Sequence, residues 1–167
     1  MILYTHRFAT PFGAMLAAVD AEGALTYLNF RNDATEASDL LPGHQVIADE
    51  ARCAHVVAQL NAYFCGERQT FDLPLAAPGT PFQHQVWQEL ERIPYGTTQS
   101  YGQLAARLGN PAASRAVGRA NATNPIAVVV PCHRVIGSSG KLTGYAGGLP
   151  RKEGLLQLEQ EHRTGKV

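Results

Sequence analysis

The sequence predicts an α+β protein in two parts, a strand-and-helix part followed by a mainly helical part. Three observations carry that prediction. Strand-like apolar stretches around a Gly-containing turn fill the first part, and helical periodicity with helix-start signals fills the second. Between them, Pro74 to Pro81 contains Pro78-Gly79 and reads as a linker. The sign of the charge changes there. Residues 1–80 hold 4 Lys/Arg and 9 Asp/Glu, and residues 81–167 hold 10 Lys/Arg and 5 Asp/Glu. The domains are therefore expected at 1–78 and 79–167.

In the first part, Gly13 to Val19 and Ala24 to Phe30 flank Asp20-Ala-Glu-Gly23 and read as a hairpin. Arg31 to Gly43 is a polar loop. Val46 to Phe64 reads as an amphipathic helix with Cys53, Val57, Leu60 and Phe64 on one stripe. Cys53 is then a small core residue, and Cys65 precedes Gly66, a helix-stop glycine. The spacing of His44, Cys53, His55 and Cys65 matches no zinc pattern, so no metal site is expected. Gln69 to Leu75 alternates like a last, edge strand.

In the second part, Thr80 caps a helix with Pro81 in its first turn and Phe82, Val86, Leu90 and Ile93 along one face. Ser100-Tyr-Gly-Gln103 has the capping-box form and opens a helix that stops at Gly109. Another helix runs from Pro111 to about Asn121. Two short helices joined by a tight Gly-containing turn have the outline of a helix-turn-helix, or of an ordinary packed hairpin. The second helix carries Arg115 and Arg119 among Ala and Gly. From Arg92 to Lys152 there are eight basic residues and no acidic one, which points to a polyanionic partner.

With 167 residues and 45% hydrophobic content, the chain can bury a core. No apolar run approaches the roughly 20 residues of a membrane span, and Met1 to Ala9 lacks the apolar segment of a signal peptide. Three cysteines without a CxxC suit a reducing compartment. A soluble cytoplasmic protein with no membrane partner is expected.

The reactive stretch is Asn124 to Ile136. Its apolar run, Ile126 to Val130, is expected to cross the domain interior and end at Pro131, with Cys132, His133 and Arg134 beyond it. A thiol attacks as its thiolate, and a nearby base or cation favours that form, whereas burial opposes it. Adjacent side chains diverge, so His133 would reach Cys132 through a water. The last helix, with Pro150 near its start and Leu155 and Leu156 inside, carries Glu159, which could return to orient the imidazole. A Cys-His-acid set also suits a hydrolase, although no hydrolase signature is present. A DNA-binding regulator with Cys132 in its core is a third reading.

Pro131-Cys-His-Arg-Val135, preceded by Asn124-Pro125 and followed by Gly144-Tyr-Ala-Gly-Gly148, resembles the signature of the O6-alkylguanine-DNA alkyltransferases, the methylated-DNA–protein-cysteine methyltransferases. The likeness extends through Ser100-Tyr101, Ala112-Ala-Ser-Arg-Ala-Val-Gly118 and Lys152 to Glu159, covering most of residues 80–160. The chain resembles the single-unit bacterial-type repair form rather than the adaptive-response regulator.

The resemblance implies a ribonuclease-H-like N-terminal domain and a C-terminal domain that binds duplex DNA carrying O6-alkylguanine. The damaged nucleotide would be flipped into a pocket. Cys132 would accept the alkyl group once and irreversibly, with His133 as base through a water, Glu159 orienting it, and no cofactor. Arg115 matches a finger that fills the gap in the stack, and Tyr101, beside Ser100, crowds the phosphate and the flipped base. Small residues including Ala113 and Gly118 allow close approach in the minor groove. Asn124 matches a hinge residue, the backbone of Cys132 and Val135 accepts from the guanine, and Tyr145-Ala146 lines the pocket. Arg134 is expected to be structural, with local hydrogen bonds. The resemblance leaves O4-alkylthymine open as a further substrate and implies a monomer that can associate along DNA. Gly154 stands where many relatives have a bulky aromatic, and Leu158 replaces a polar residue, so the packing of the last helix is where this chain departs.

Overall fold

The computed structural model describes residues 1–31, 35–137, 140, 142, 145 and 147–163. The chain divides into two compact units, Met1–Pro78 and Gly79–Val167.

The first unit is built on a four-stranded sheet. Strands β1 (Ile2–Phe8), β2 (Met15–Val19) and β3 (Leu25–Phe30) form an antiparallel meander, and β4 (Gln45–Ala48) adds to β1 in parallel, giving the order β3-β2-β1-β4. Every residue of β2 is buried, as expected of an inner strand covered on both faces. The expected hairpin is β2–β3. Asp20 Oδ1 accepts from the Glu22 and Ala24 amides, and Gly23 adopts φ 85°, which fixes the turn.

Three expectations need correction in this unit. Helix α2 is Glu50–Phe64, not Val46 to Phe64, because Val46–Ala48 hydrogen-bonds to β1. Asp49 then caps the helix by accepting from the Arg52 amide at 3.1 Å. The loop from Arg31 to Gly43 contains a single helical turn, α1 (Ala37–Leu40). Gln69 to Leu75 is not a strand but makes one parallel bridge, Leu75 to Leu25, and Pro74 supplies only its carbonyl there. The helix stop at Gly66 is as expected. Its amide donates to the Tyr63 carbonyl and the Glu67 amide to that of Ala62, a Schellman ending. Cys53 is fully buried in the core with Val56, Leu60 and Tyr63.

The second unit is mainly helical. α3 (Pro81–Glu91) starts with a complete capping box, the Gln83 amide donating to Thr80 Oγ1 at 3.1 Å and the Thr80 amide to Gln83 Oε1 at 2.8 Å. Ser100 and Gln103 repeat that arrangement at the start of α4 (Tyr101–Arg107). After Gly109, at φ 79°, a 3-10 turn over Pro111–Ala113 leads into α5 (Ser114–Ala122). The second helix of the helix-turn-helix therefore begins three residues later than Pro111, its opening turn being tighter than α. Trp87 Nε1 donates to the Ala120 carbonyl at 2.9 Å and ties α3 to α5. α6 is Leu149–His162 and runs unbroken through Gly154.

Ile126, Ala127, Val128 and Val130 are buried, as expected of an interior run, and the segment is a series of turns. The Val130 amide donates to the Ile126 carbonyl, and Val128 sits at φ 71°, a costly conformation for a β-branched residue. Among the described residues, no helix is long and apolar enough to cross a membrane.

Candidate active site

Cys132, His133 and Arg134 form one 3-10 turn between Pro131 and a short strand, β6 (Val135–Ile136). β6 pairs in parallel with β5 (Gln99–Ser100), Val135 opposite Gln99 and Ile136 opposite Ser100. Because Ser100 is the cap of α4, this small sheet ties the cysteine turn to the first helix of the helix-turn-helix.

Asn124 shapes the approach from the other side. Its amide nitrogen donates to the carbonyls of Ile126 (3.1 Å) and Val130 (2.9 Å), and its amide oxygen accepts from the Ile126 amide (3.0 Å). One buried side chain thus satisfies three backbone groups of the turned segment. The Cys132 amide donates to the Val130 carbonyl at 2.8 Å.

Adjacency alone could not join the reactive residues; α6 does. Its buried face carries Lys152, Leu155 and Glu159, and it packs on the cysteine turn. His133 Nε2 lies 2.6 Å from Glu159 Oε2, with both side chains fully buried. Arg134 Nε donates to Glu159 Oε1 at 2.7 Å and its Nη2 to Oε2 at 2.9 Å, while Nη1 reaches the Ile93 carbonyl at 2.8 Å. His133 Nδ1 is buried and has no hydrogen-bond partner among the described residues.

The electrostatics follow from burial and from these partners. Burial pushes the Glu159 carboxyl up, but His133 and Arg134 outweigh it and hold the group well below the usual carboxylate range. Glu159 is therefore an anion, so His133 Nε2 donates to it and Nδ1 is left as the acceptor. Burial also lowers the imidazole below its ordinary value, against the pull of Glu159. The Cys132 thiol is pushed up by burial, and the Asn124 amide and the Lys152 ammonium pull it back. Lys152 is fully buried, and burial brings its ammonium down to about 8 even though Cys132 opposes the shift.

The structure therefore brings Cys132, His133, Glu159 and Asn124 together, with Val135 fully buried at the head of β6. Tyr101 opens α4, and a Cβ placed on Gly118 would lie 3.9 Å from its ring, so α5 passes close beside Tyr101. Arg115 and Arg119 are exposed on α5, and Ala113 is half-buried just before it. Tyr145 is half-buried, and its hydroxyl has no hydrogen-bond partner among the described residues. Ala146 lies outside the described residues.

Two site residues were missed as such from the sequence. Arg134 bonds not locally but to Glu159, 25 residues away. Lys152 reads in sequence as one more cation of the basic stretch, although its spacing with Leu155 and Glu159 (i, i+3, i+7) puts it on the buried face. Of the basic stretch, Arg134 and Lys152 are interior, and Arg92 and Arg107 both pair with Glu89. Among the described residues, no group of three or more His, Cys, Asp or Glu is arranged to hold a metal ion.

Comparison with known proteins adds the family. Residues 3–77 match the model of the ribonuclease-like domain of 6-O-methylguanine DNA methyltransferase, and residues 81–161 match that of its DNA binding domain. The methylated-DNA–protein-cysteine methyltransferase of Methanosarcina acetivorans is 51% identical over 157 residues, which is 94% of this chain and 98% of that one. The crystal structure of the Mycobacterium tuberculosis O6-methylguanine methyltransferase superposes with a TM-score of 0.84 at 46% identity, covering 96% of this chain and 94% of that one. The M. tuberculosis OGT in complex with DNA gives 0.83 at 43% identity, covering 97% and 94%. Both units and nearly the whole length are thus accounted for, and the chain belongs to the 6-O-methylguanine DNA methyltransferase family.

Proposed function

We propose that this protein repairs duplex DNA by moving the alkyl group of O6-alkylguanine onto Cys132, once per molecule. The observation that carries this reading is the buried His133–Glu159 couple at 2.6 Å beside a buried cysteine. Nothing in that arrangement requires a cofactor. The N-terminal unit is read as the ribonuclease-H-like domain and the C-terminal unit as the DNA-binding and alkyl-acceptor domain.

In the proposed reaction the Cys132 proton passes through one water to His133 Nδ1, and Glu159 stabilises the imidazolium that forms. The sulfur pair then forms the S–C bond as the C–O6 bond breaks. That bonding pair stays on the guanine, which takes up a proton. Burial supports a displacement of this kind, because a desolvated thiolate is a stronger nucleophile than a hydrated one. The thioether product has no ready hydrolytic exit, and this is the reason for a single turnover.

The same reading assigns DNA contacts to the exposed side of the helix-turn-helix. Ala113 and Gly118 would let α5 approach the minor groove, Arg115 would enter the stack, and Tyr101, with Ser100, would sit at the flipped nucleotide. Val135, Tyr145 and Ala146 would line the base pocket, and Asn124 would act as the hinge. O4-alkylthymine falls within the same chemistry as a second substrate. A soluble, cytoplasmic monomer, able to associate along DNA, completes the reading.

The test is incubation with duplex DNA containing labelled O6-methylguanine, followed by intact-protein and peptide mass spectrometry. One methyl group per molecule, on the peptide containing Cys132, is expected. Label elsewhere, or more methyl groups released from DNA than protein molecules present, would sink the proposal.

A further inference from the structure

We propose that Arg134 is a positioning residue for the transfer reaction, its guanidinium clamping the Glu159 carboxylate and thereby fixing the orientation and tautomer of His133. The inference rests on His133 as the base, and adds to it the residue that makes the base dependable. A carboxylate held only by an imidazole can rotate, or can take the imidazole's proton when that ring becomes charged. Either event ends proton acceptance at Nδ1. Arg134 prevents both. Its Nε and Nη2 occupy both Glu159 oxygens at 2.7 and 2.9 Å, so that His133 shares Oε2 with the guanidinium.

The clamp is itself anchored from outside the relay. Nη1 donates to the Ile93 carbonyl just after α3, and the guanidinium carbon lies 5.6 Å from the centre of the Tyr95 ring. A planar fork held at its far end meets a carboxylate in one orientation only, which an ammonium on a flexible stem cannot reproduce. Charged or titratable groups that also act on this pair are Lys152 on α6, Tyr95 after α3, and Tyr145. Arg134 gives Glu159 a permanent opposite charge at hydrogen-bond distance, and His133 adds a second one when it is protonated.

The direction of the pH effect follows. Loss of the guanidinium raises the pH at which Glu159 takes a proton. It also removes a positive neighbour from His133, which raises the pH at which the imidazole is already occupied. Both changes move the acid limb of the transfer rate upward.

Single-turnover transfer from O6-methylguanine duplex should be followed against pH for the wild type, Arg134→Lys and Arg134→Ala. The acid limb is expected to move up by about one pH unit or more in Arg134→Ala and by less in Arg134→Lys, and to return toward the wild-type position with added methylguanidinium. A lower rate at every pH with the limb unmoved would mark Arg134 as merely structural and overturn the inference. A second measurement needs neither a variant nor transfer. In the wild type, carboxyl and imidazole NMR should find Glu159 ionised below the ordinary glutamate range near about 4.3 and the His133 proton on Nε2. Titration of Glu159 within that range overturns the clamp whatever the kinetics give, and settles the matter if the variants do not fold. Failure of the wild type to transfer alkyl groups at all would instead strike the function proposed above.

Discussion

A carboxylate with no exposed surface stays charged only where its neighbours replace water, and Glu159 has that replacement in full. Glu159→Gln keeps the shape and removes the charge, leaving the Arg134 guanidinium buried without its counter-ion. The expected cost is about 3–5 kcal/mol of stability, read from urea unfolding, and a transfer rate lower by about 100-fold or more, read in single-turnover assays. An unchanged rate would separate Glu159 from the chemistry. Lys152 makes a second prediction, since its ammonium is one of the few influences that lower the thiol. Lys152→Met should shift the reaction of Cys132 with iodoacetamide to higher pH, and an unshifted profile would show that the ammonium exerts no hold on the sulfur. Cys132 and His133 stand out as candidates in the sequence by their adjacency, and Glu159 by its place on an amphipathic helix together with the family resemblance. Arg134 and Lys152 do not, because a lone cation in a sequence reads as surface. Only the partner, far away along the chain, makes its burial tolerable.

At the scale of elements, what is local was legible and what is paired at a distance was not. The Thr80 cap, the Ser100–Gln103 capping box, the Gly66 and Gly109 stops and the β2–β3 hairpin depend on a few consecutive residues, and they formed where the sequence placed them. β1 and β4 depend on one another across about 40 residues, so from sequence alone Val46–Ala48 is indistinguishable from the start of the helix that follows it. The turned course of Ile126 to Val130 depends on Asn124, and an apolar run carries no sign of that clamp. Asn124→Ala would leave the buried Ile126 amide without its acceptor and take a second hydrogen bond from each of the Ile126 and Val130 carbonyls. A loss of about 1–3 kcal/mol is expected from the unfolding midpoint, with slower transfer, since the same segment delivers Cys132. On α5, Arg115 is exposed and makes no hydrogen bond or ion pair among the described residues, so its removal should leave the fold intact. Arg115→Ala is expected to slow repair of duplex DNA while sparing reaction with free O6-methylguanine base. Equal losses on both substrates would rule out a role in opening the stack.

For the whole molecule, the strongly perturbed groups of the reactive centre all belong to the C-terminal unit, which makes that unit the pH-sensitive one. The carboxyl of Glu159 is held well below its unfolded value of about 4.3, and the imidazole of His133 below about 6.5. In both cases the native state binds fewer protons than the unfolded chain. Stability from these groups is therefore present above the unfolded values and is lost as the pH falls, first through His133 from about pH 6.5 and then through Glu159 below about pH 4.3. Glu91, raised by partial desolvation, works in the opposite sense, but it is exposed and has no ionic partner comparable to Arg134 among the described residues. The chain supplies its own reporter, because the single tryptophan, Trp87, is buried in this unit with its N–H on the Ala120 carbonyl. The urea midpoint followed by Trp87 fluorescence should fall steadily from pH 7 toward pH 4, both pH values spanning the ordinary His and Glu ranges of about 6.5 and 4.3. In His133→Phe, which cannot take up a proton on unfolding, the upper part of that fall should disappear. A midpoint independent of pH in the wild type, or the same slope in the variant, would mean that the buried couple is not what links this unit to pH.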